Sequence, residues 1–84
     1  MRMFSPGHGV MLPRDSIVGI FDLDTATVSG HTRDFLRRAQ EAGSVISIGE
    51  ELPQSFILAG DKTWLSPQSS ANLAKKLLTI PKEP

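Results

Sequence analysis

The sequence predicts a small α+β domain with a mainly antiparallel sheet and two helices. Three observations predict this class. β-Branched and aromatic residues crowd into residues 16–21, apolar residues recur at helical spacing in residues 32–42 and near the C-terminus, and residues 56–65 hold two apolar runs around a short polar turn. Strands and helices in this order belong to the α+β class. Eighty-four residues allow one domain, which we take to span residues 1–84.

The N-terminal part of the chain is predicted to be extended. Residues 5–9 combine Pro and Gly, which is typical of a turn between two short strands, and residues 10–12 form a strand that Pro13 ends. Residues 16–21 direct apolar side chains to both faces, so we expect this strand in the centre of a sheet or beneath a partner subunit. Gly19 in its middle permits a β-bulge.

The first helix is predicted over residues 32–42. Ser29 or Thr32 can cap it, Asp34 lies in its first turn, and Gly43 follows as the stop. Its apolar stripe consists of Phe35, Leu36, Ala39 and Ala42. A short strand over residues 45–48 follows.

The second helix closes the predicted fold. Residues 56–65 form a hairpin, after which Ser66 is the expected N-cap and Pro67 the first helical residue. Pro81 is expected to end the helix.

The net charge, the cysteine content and the lengths of the apolar stretches exclude several classes of protein. The formal net charge is zero and there is no Cys, so neither a globally basic surface nor a disulfide framework is present. No apolar stretch reaches the ~20 residues of a membrane span, and the N-terminus lacks an apolar signal core. We therefore expect a cytoplasmic protein without membrane contact. A domain this small has a thin core, which favours self-association.

The two histidines, His8 and His31, have no neighbouring ligands in the sequence, so we expect no metal site. Phosphate-binding and dinucleotide-binding glycine motifs are also missing from the sequence, so we expect no cofactor and no small-molecule substrate.

An Asp-x-Asp segment is the one feature that points to an enzyme. Asp22 and Asp24 follow an apolar strand and resemble the first motif of haloacid dehalogenase-type phosphatases, which implies a nucleophile, an acid/base and bound Mg²⁺. That family carries Thr or Val where this chain has Ala26, and its parallel sheet needs a longer chain. The favoured alternative is that the two carboxylates end the strand and begin a turn, with no catalytic residues in the chain.

Arginines supply the candidate binding site. Arg33 and Arg37 lie four residues apart on one helix face with Arg38 beside them, a row that can contact the phosphates of double-stranded DNA. Arg14 is the fourth candidate. The alternative is a solvated face on which Asp34 and Glu41 neutralise the arginines.

Four segments together resemble a known family. Residues 14–22, 32–36, 51–57 and 65–76 occur in the order and spacing of the RemA-like family, in its extracellular matrix regulatory protein B (RemB) branch. The resemblance implies a cytoplasmic regulator of biofilm matrix genes. For the RemA branch it also implies a LytTR-like fold, closure into a homo-oligomeric ring and DNA binding.

One departure bears on DNA binding. The RemA branch carries an Arg-rich turn where this chain has the acidic pair Glu50 and Glu51. DNA contacts would then depend on Arg14 and the helix arginines, which we infer from the residues and not from the resemblance. Two hypotheses about function stay open. One is a DNA-binding ring, and the other is an oligomeric protein-interaction module that does not contact DNA.

Overall fold

The computed structural model describes residues 2–79, and the fold over that range is α+β, as predicted. The predicted stop of the last helix at Pro81 lies outside these residues. The strands are β1 (Met3–Gly7), β2 (Val10–Pro13), β3 (Ile17–Asp22), β4 (Val45–Ser47), β5 (Ser55–Ala59) and β6 (Lys62–Ser66). The α-helices are α1 (Leu23–Ala26), α2 (Gly30–Glu41) and α3 (Ser70–Thr79), and a 3₁₀ turn covers Arg14–Ser16.

The described strands form two sheets. β1 and β2 make an antiparallel hairpin, and the other four strands form a sheet in the order β3-β5-β6-β4. Its pairings are antiparallel except for β4 with β6, so the predicted mainly antiparallel sheet is confirmed. The expected 56–65 hairpin is also confirmed, because β5 and β6 join through a turn in which Gly60 has a positive φ of 61°.

The prediction of a central position for residues 16–21 was wrong for the isolated chain. Among the described strands, β3 pairs only with β5 and forms one edge of the four-stranded sheet. Its register shifts between Ile17 and Gly19, so the permitted bulge is present and Val18 projects into solvent. The second expectation, that a partner subunit covers this strand, stays a prediction.

One face of the four-stranded sheet carries the main core. Ile57 of β5 packs with Phe4 and Leu12 of the N-terminal hairpin and with Leu73 of α3. Strand alternation and the β3–β5–β6 register direct Ile20 and Trp64 to this same face, where they pack against the core.

The opposite face is only partly covered. Alternation places Phe21, Phe56, Leu58 and Thr63 on it, and α2 lies along one side, contributing Phe35 and the buried Ala39. α2 has its main strand contact with β4, at the sheet edge opposite β3. The molecule is therefore layered as hairpin and α3, then sheet, then α2.

The helix predictions need three corrections within residues 2–79. There are three α-helices, not two, because α1 forms a single turn directly after β3. α2 begins at Gly30, two residues before the predicted start, because Ser29 already occupies the N-cap position with extended backbone. α3 begins at Ser70, because the Ser69 Oγ accepts the Asn72 N–H at 3.1 Å and caps the helix there.

Ser66 has a different role from the predicted cap. It is the last residue of β6, is fully buried, and donates its hydroxyl to the Pro6 carbonyl oxygen at 2.8 Å. Its Oγ also accepts the Gln68 N–H at 3.1 Å. The hydroxyl therefore joins the N-terminal hairpin to the end of the sheet.

None of the helices found in residues 2–79 is long and apolar enough to cross a membrane.

Candidate binding and assembly surfaces

The predicted DNA-binding arginines do not form one open row. Arg33, Arg37 and Arg38 are exposed on α2, while Arg14 lies half-buried in the 3₁₀ turn between β2 and β3. The four guanidinium groups have different surroundings, and these surroundings decide whether each charge is free to contact a phosphate.

Arg33 is engaged by the backbone of its own chain. Its Nη1 donates to the carbonyl oxygens of Thr27 and Val28, at 2.6 and 3.1 Å. These carbonyls belong to the connection between α1 and α2, so Arg33 holds that corner. Sequence spacing could not reveal this, because the partners are backbone atoms.

Arg37 is paired with two carboxylates. Its guanidinium donates to Asp34 at 3.2 Å and to Glu41 at 3.0 Å, and these hydrogen bonds, first that of Asp34, raise its pKa. The predicted neutralisation of Arg37 is confirmed. All three side chains are more than half exposed, so the pairs are weak and a phosphate could replace the carboxylates.

Arg38 and Arg14 are the remaining cations of the predicted set. Arg38 makes no ion pair with any residue of 2–79, so the predicted contact with Asp34 was wrong. It instead lines a cavity together with Lys62. The Arg14 Nε is buried and lacks a hydrogen-bond partner within the described chain.

The apolar surface along β3 was not predicted in its extent. Val18 and Phe21 of β3 and Phe35 of α2 are exposed, and all three line cavities between α2 and the sheet. We call these three residues the apolar edge surface. The Phe21 ring stacks on Phe56 with centroids 5.0 Å apart, so part of this surface is ordered.

The Asp-x-Asp segment has a local structural role. Asp22 is the last residue of β3, and its Oδ1 accepts the Thr25 N–H at 2.9 Å, which caps α1. Asp24 lies in the first turn of α1, where the helix dipole favours a carboxylate. The interpretation that these residues end the strand and begin a turn is confirmed. Across residues 2–79, no three His, Asp or Glu side chains cluster as metal ligands would.

One contact joins distant loops that carry charge. His8, which has a positive φ of 50°, donates from Nε2 to Glu51 Oε2 at 2.7 Å. The hydrogen bond lowers the pKa of the Glu51 carboxyl. The acidic turn that departs from the RemA branch is therefore tied to the hairpin turn of β1 and β2.

Compared with known proteins, the chain matches no family model and no curated protein.

Proposed function

We propose that this chain is a non-enzymatic regulatory protein that acts in the cytoplasm as a homo-oligomer. The observation that carries the proposal is the apolar edge surface on β3 and α2, together with the outer edge of β3, which pairs with no other described strand. Edge strands present N–H and C=O groups that pair readily with another chain. A contiguous apolar patch on such an edge is typical of an interaction site.

The core of the single chain supports the same proposal. A domain of this size buries only about 60% of the surface its unfolded chain exposes. A second copy at β3 would cover Val18 and Phe21 and add buried apolar area at about 25 cal/mol per Å². The resemblance to the RemA-like family supports a LytTR-like fold, a closed ring and the control of matrix genes.

The test of assembly is the solution mass with a matched pair of variants. Val18 and Val28 are 76% and 79% exposed, but only Val18 belongs to the apolar edge surface. By light scattering at micromolar concentration, we expect several subunits per particle in the wild type, a lower mass for Val18→Lys, and no change for Val28→Lys. A monomeric wild type, or equal masses for both variants, would refute assembly through this surface.

Duplex DNA is the second candidate partner, and one observation favours it. α2 exposes three guanidinium groups, and Arg38 has no ion pair among the described residues. A ring would repeat this face, so that weak phosphate contacts act together.

Anisotropy titrations with a DNA duplex across salt test this candidate. Binding should weaken steeply with salt, and Arg37→Ala and Arg38→Ala should each weaken it, whereas Lys75→Ala on α3 should not. Circular dichroism checks that the variants fold. Undetectable binding at low salt, or affinity that does not change with salt, would leave the protein-interaction role alone.

A further inference from the structure

A cavity separates α2 from the sheet. Its volume is about 450 Å³, which lies within the ~300–1,000 Å³ range of small-molecule sites. Val18, Phe35, Ala39 and Leu58 form its apolar walls. The main core lies on the other face of the sheet, so the cavity is separate from the packing that holds the fold together.

Two cations lie at the polar side of this cavity. Arg38 and Lys62 line it, and neither makes an ion pair with another residue of 2–79. Asp61 is the one acidic residue in the lining, so the site carries a net charge of one positive unit at neutral pH. Arg38 is exposed and Lys62 is half-buried, so both charges are accessible to an anion that enters the cavity.

The apolar walls continue past this cavity. A second cavity of about 230 Å³ is lined by Phe21, Phe56 and His31, and it shares Phe35 and Leu58 with the first. The two form one groove that is cationic at one end and aromatic at the other. Such an arrangement complements a molecule with a charged head and an apolar tail.

We propose that this groove binds an amphipathic monocarboxylate. The carboxylate lies between Arg38 and Lys62, and an unbranched hydrocarbon tail follows Phe35 and Leu58 toward Phe21. A single negative charge matches the net charge of the site, whereas a phosphate dianion exceeds it. A guanidinium binds a carboxylate with charge-assisted, directional hydrogen bonds. The proposal goes beyond the proposed assembly, and the groove shares Val18, Phe21 and Phe35 with the apolar edge surface.

Calorimetric titration of the full chain with sodium octanoate, below its micelle concentration, tests the site. We expect saturable binding of one octanoate per chain. 1-Octanol, which lacks the charge, should bind at least about tenfold more weakly, since losing a hydrogen bond to a charged group costs a tenfold or larger factor. Acetate, which keeps the charge but lacks the tail, should also bind at least about tenfold more weakly, because it buries far less apolar surface.

Variants locate the head group. Arg38→Gln and Lys62→Gln should each weaken octanoate binding about tenfold. Lys75→Gln, on the exposed side of α3 across the sheet, should leave it unchanged. Amide chemical shifts of the wild type give a second measurement that needs no variant: octanoate should move the signals of Leu58 and Thr63 and leave those of α3 in place.

Three results would overturn the proposal: absence of saturable octanoate binding, equal affinity for 1-octanol, or equal weakening by Lys75→Gln and Arg38→Gln. The particle mass measures assembly and calorimetry measures octanoate binding, so failure of the assembly proposal is distinguishable from failure of the octanoate proposal.

Discussion

Gly19 shows how one missing side chain shapes the apolar edge surface. A Cβ at this position would lie 2.7 Å from the Phe21 ring, so the ring can cover β3 only because residue 19 is glycine. The close approach accompanies the bulge and the stack of Phe21 on Phe56. In the sequence this glycine permits a bulge, but the ring position depends on a cross-strand partner that spacing does not identify.

Gly19→Ala should therefore displace the Phe21 ring from Phe56. We expect a loss of about 1 kcal/mol in the free energy of unfolding, the typical worth of an aromatic pair. Urea denaturation and the ring-proton shifts of Phe21 measure the two effects. Gly30→Ala is the matched control, because its nearest neighbour would be 3.6 Å away and neither glycine has a positive φ. Equal effects of the two substitutions would contradict the prediction.

Glu51 gives the fold a dependence on acid. The hydrogen bond from His8 lowers its pKa in the folded chain below the ordinary value of 4.5. A carboxyl with a lowered folded pKa stabilises the fold above its unfolded pKa, and this contribution is lost as the pH falls through the folded pKa.

Glu51→Gln should then reduce the loss of stability as the pH falls below the ordinary carboxyl pKa of 4.5, as measured by urea midpoints. Glu50→Gln is the control, since the Glu50 side chain makes no hydrogen bond within the described residues. If both variants keep the wild-type decline, the His8–Glu51 contact does not contribute.

At the scale of elements, α3 is the helix that secures the sheet. Leu73 is 0% exposed in the core, whereas Leu78 of the same helix is 83% exposed. Helical spacing predicted that this segment is an amphipathic helix, and its existence is confirmed. The predicted start of α3 at Ser66 was wrong, because the buried hydroxyl of Ser66 binds the Pro6 carbonyl. That contact spans 60 residues, and a local capping pattern cannot reveal it.

Leu73→Ala should lower the free energy of unfolding by about 2–5 kcal/mol, because the substitution leaves a cavity in a closely packed core. Leu78→Ala should change it by less than about 0.5 kcal/mol. Chemical denaturation of the two variants makes the comparison within one helix. A large cost for Leu78→Ala would instead indicate that this side chain is buried in the assembled protein.

β3 and α2 show why the candidate site was harder to predict than the fold. Apolar residues on both faces of β3 correctly indicated a strand, but the sheet order that puts it at an edge depends on long-range pairing. In α2, spacing placed three arginines together, yet Arg33 binds backbone carbonyls and Arg38 faces a cavity. Which charge stays available depends on tertiary partners.

At the scale of the whole molecule, the two faces of the sheet are unequal. The hairpin and α3 bury Phe4, Ile57 and Leu73 on one face, while α2 leaves a groove on the other. The chain extends 39 Å along its longest axis but only 24 and 23 Å across. The fold is therefore well secured on one side and loosely covered on the other.

Native-state hydrogen exchange should reproduce this inequality. We expect β5 amides to exchange slowest, α3 amides next, and α2 amides fastest of the three, because local opening is easiest where few apolar contacts are lost. Two-dimensional NMR in deuterated buffer gives the rates residue by residue. Protection of α2 equal to that of β5 would contradict the expectation for the single chain.

The bulge at Val18 also bears on how the chain avoids uncontrolled aggregation. A flat, regular edge strand is a template for fibril growth, since each added strand offers the next one an identical ladder. The register shift between Ile17 and Gly19 interrupts that ladder and increases its local twist. An exposed apolar strand with such a bulge can thus bind one specific partner and still resist the stacking of identical strands into amyloid.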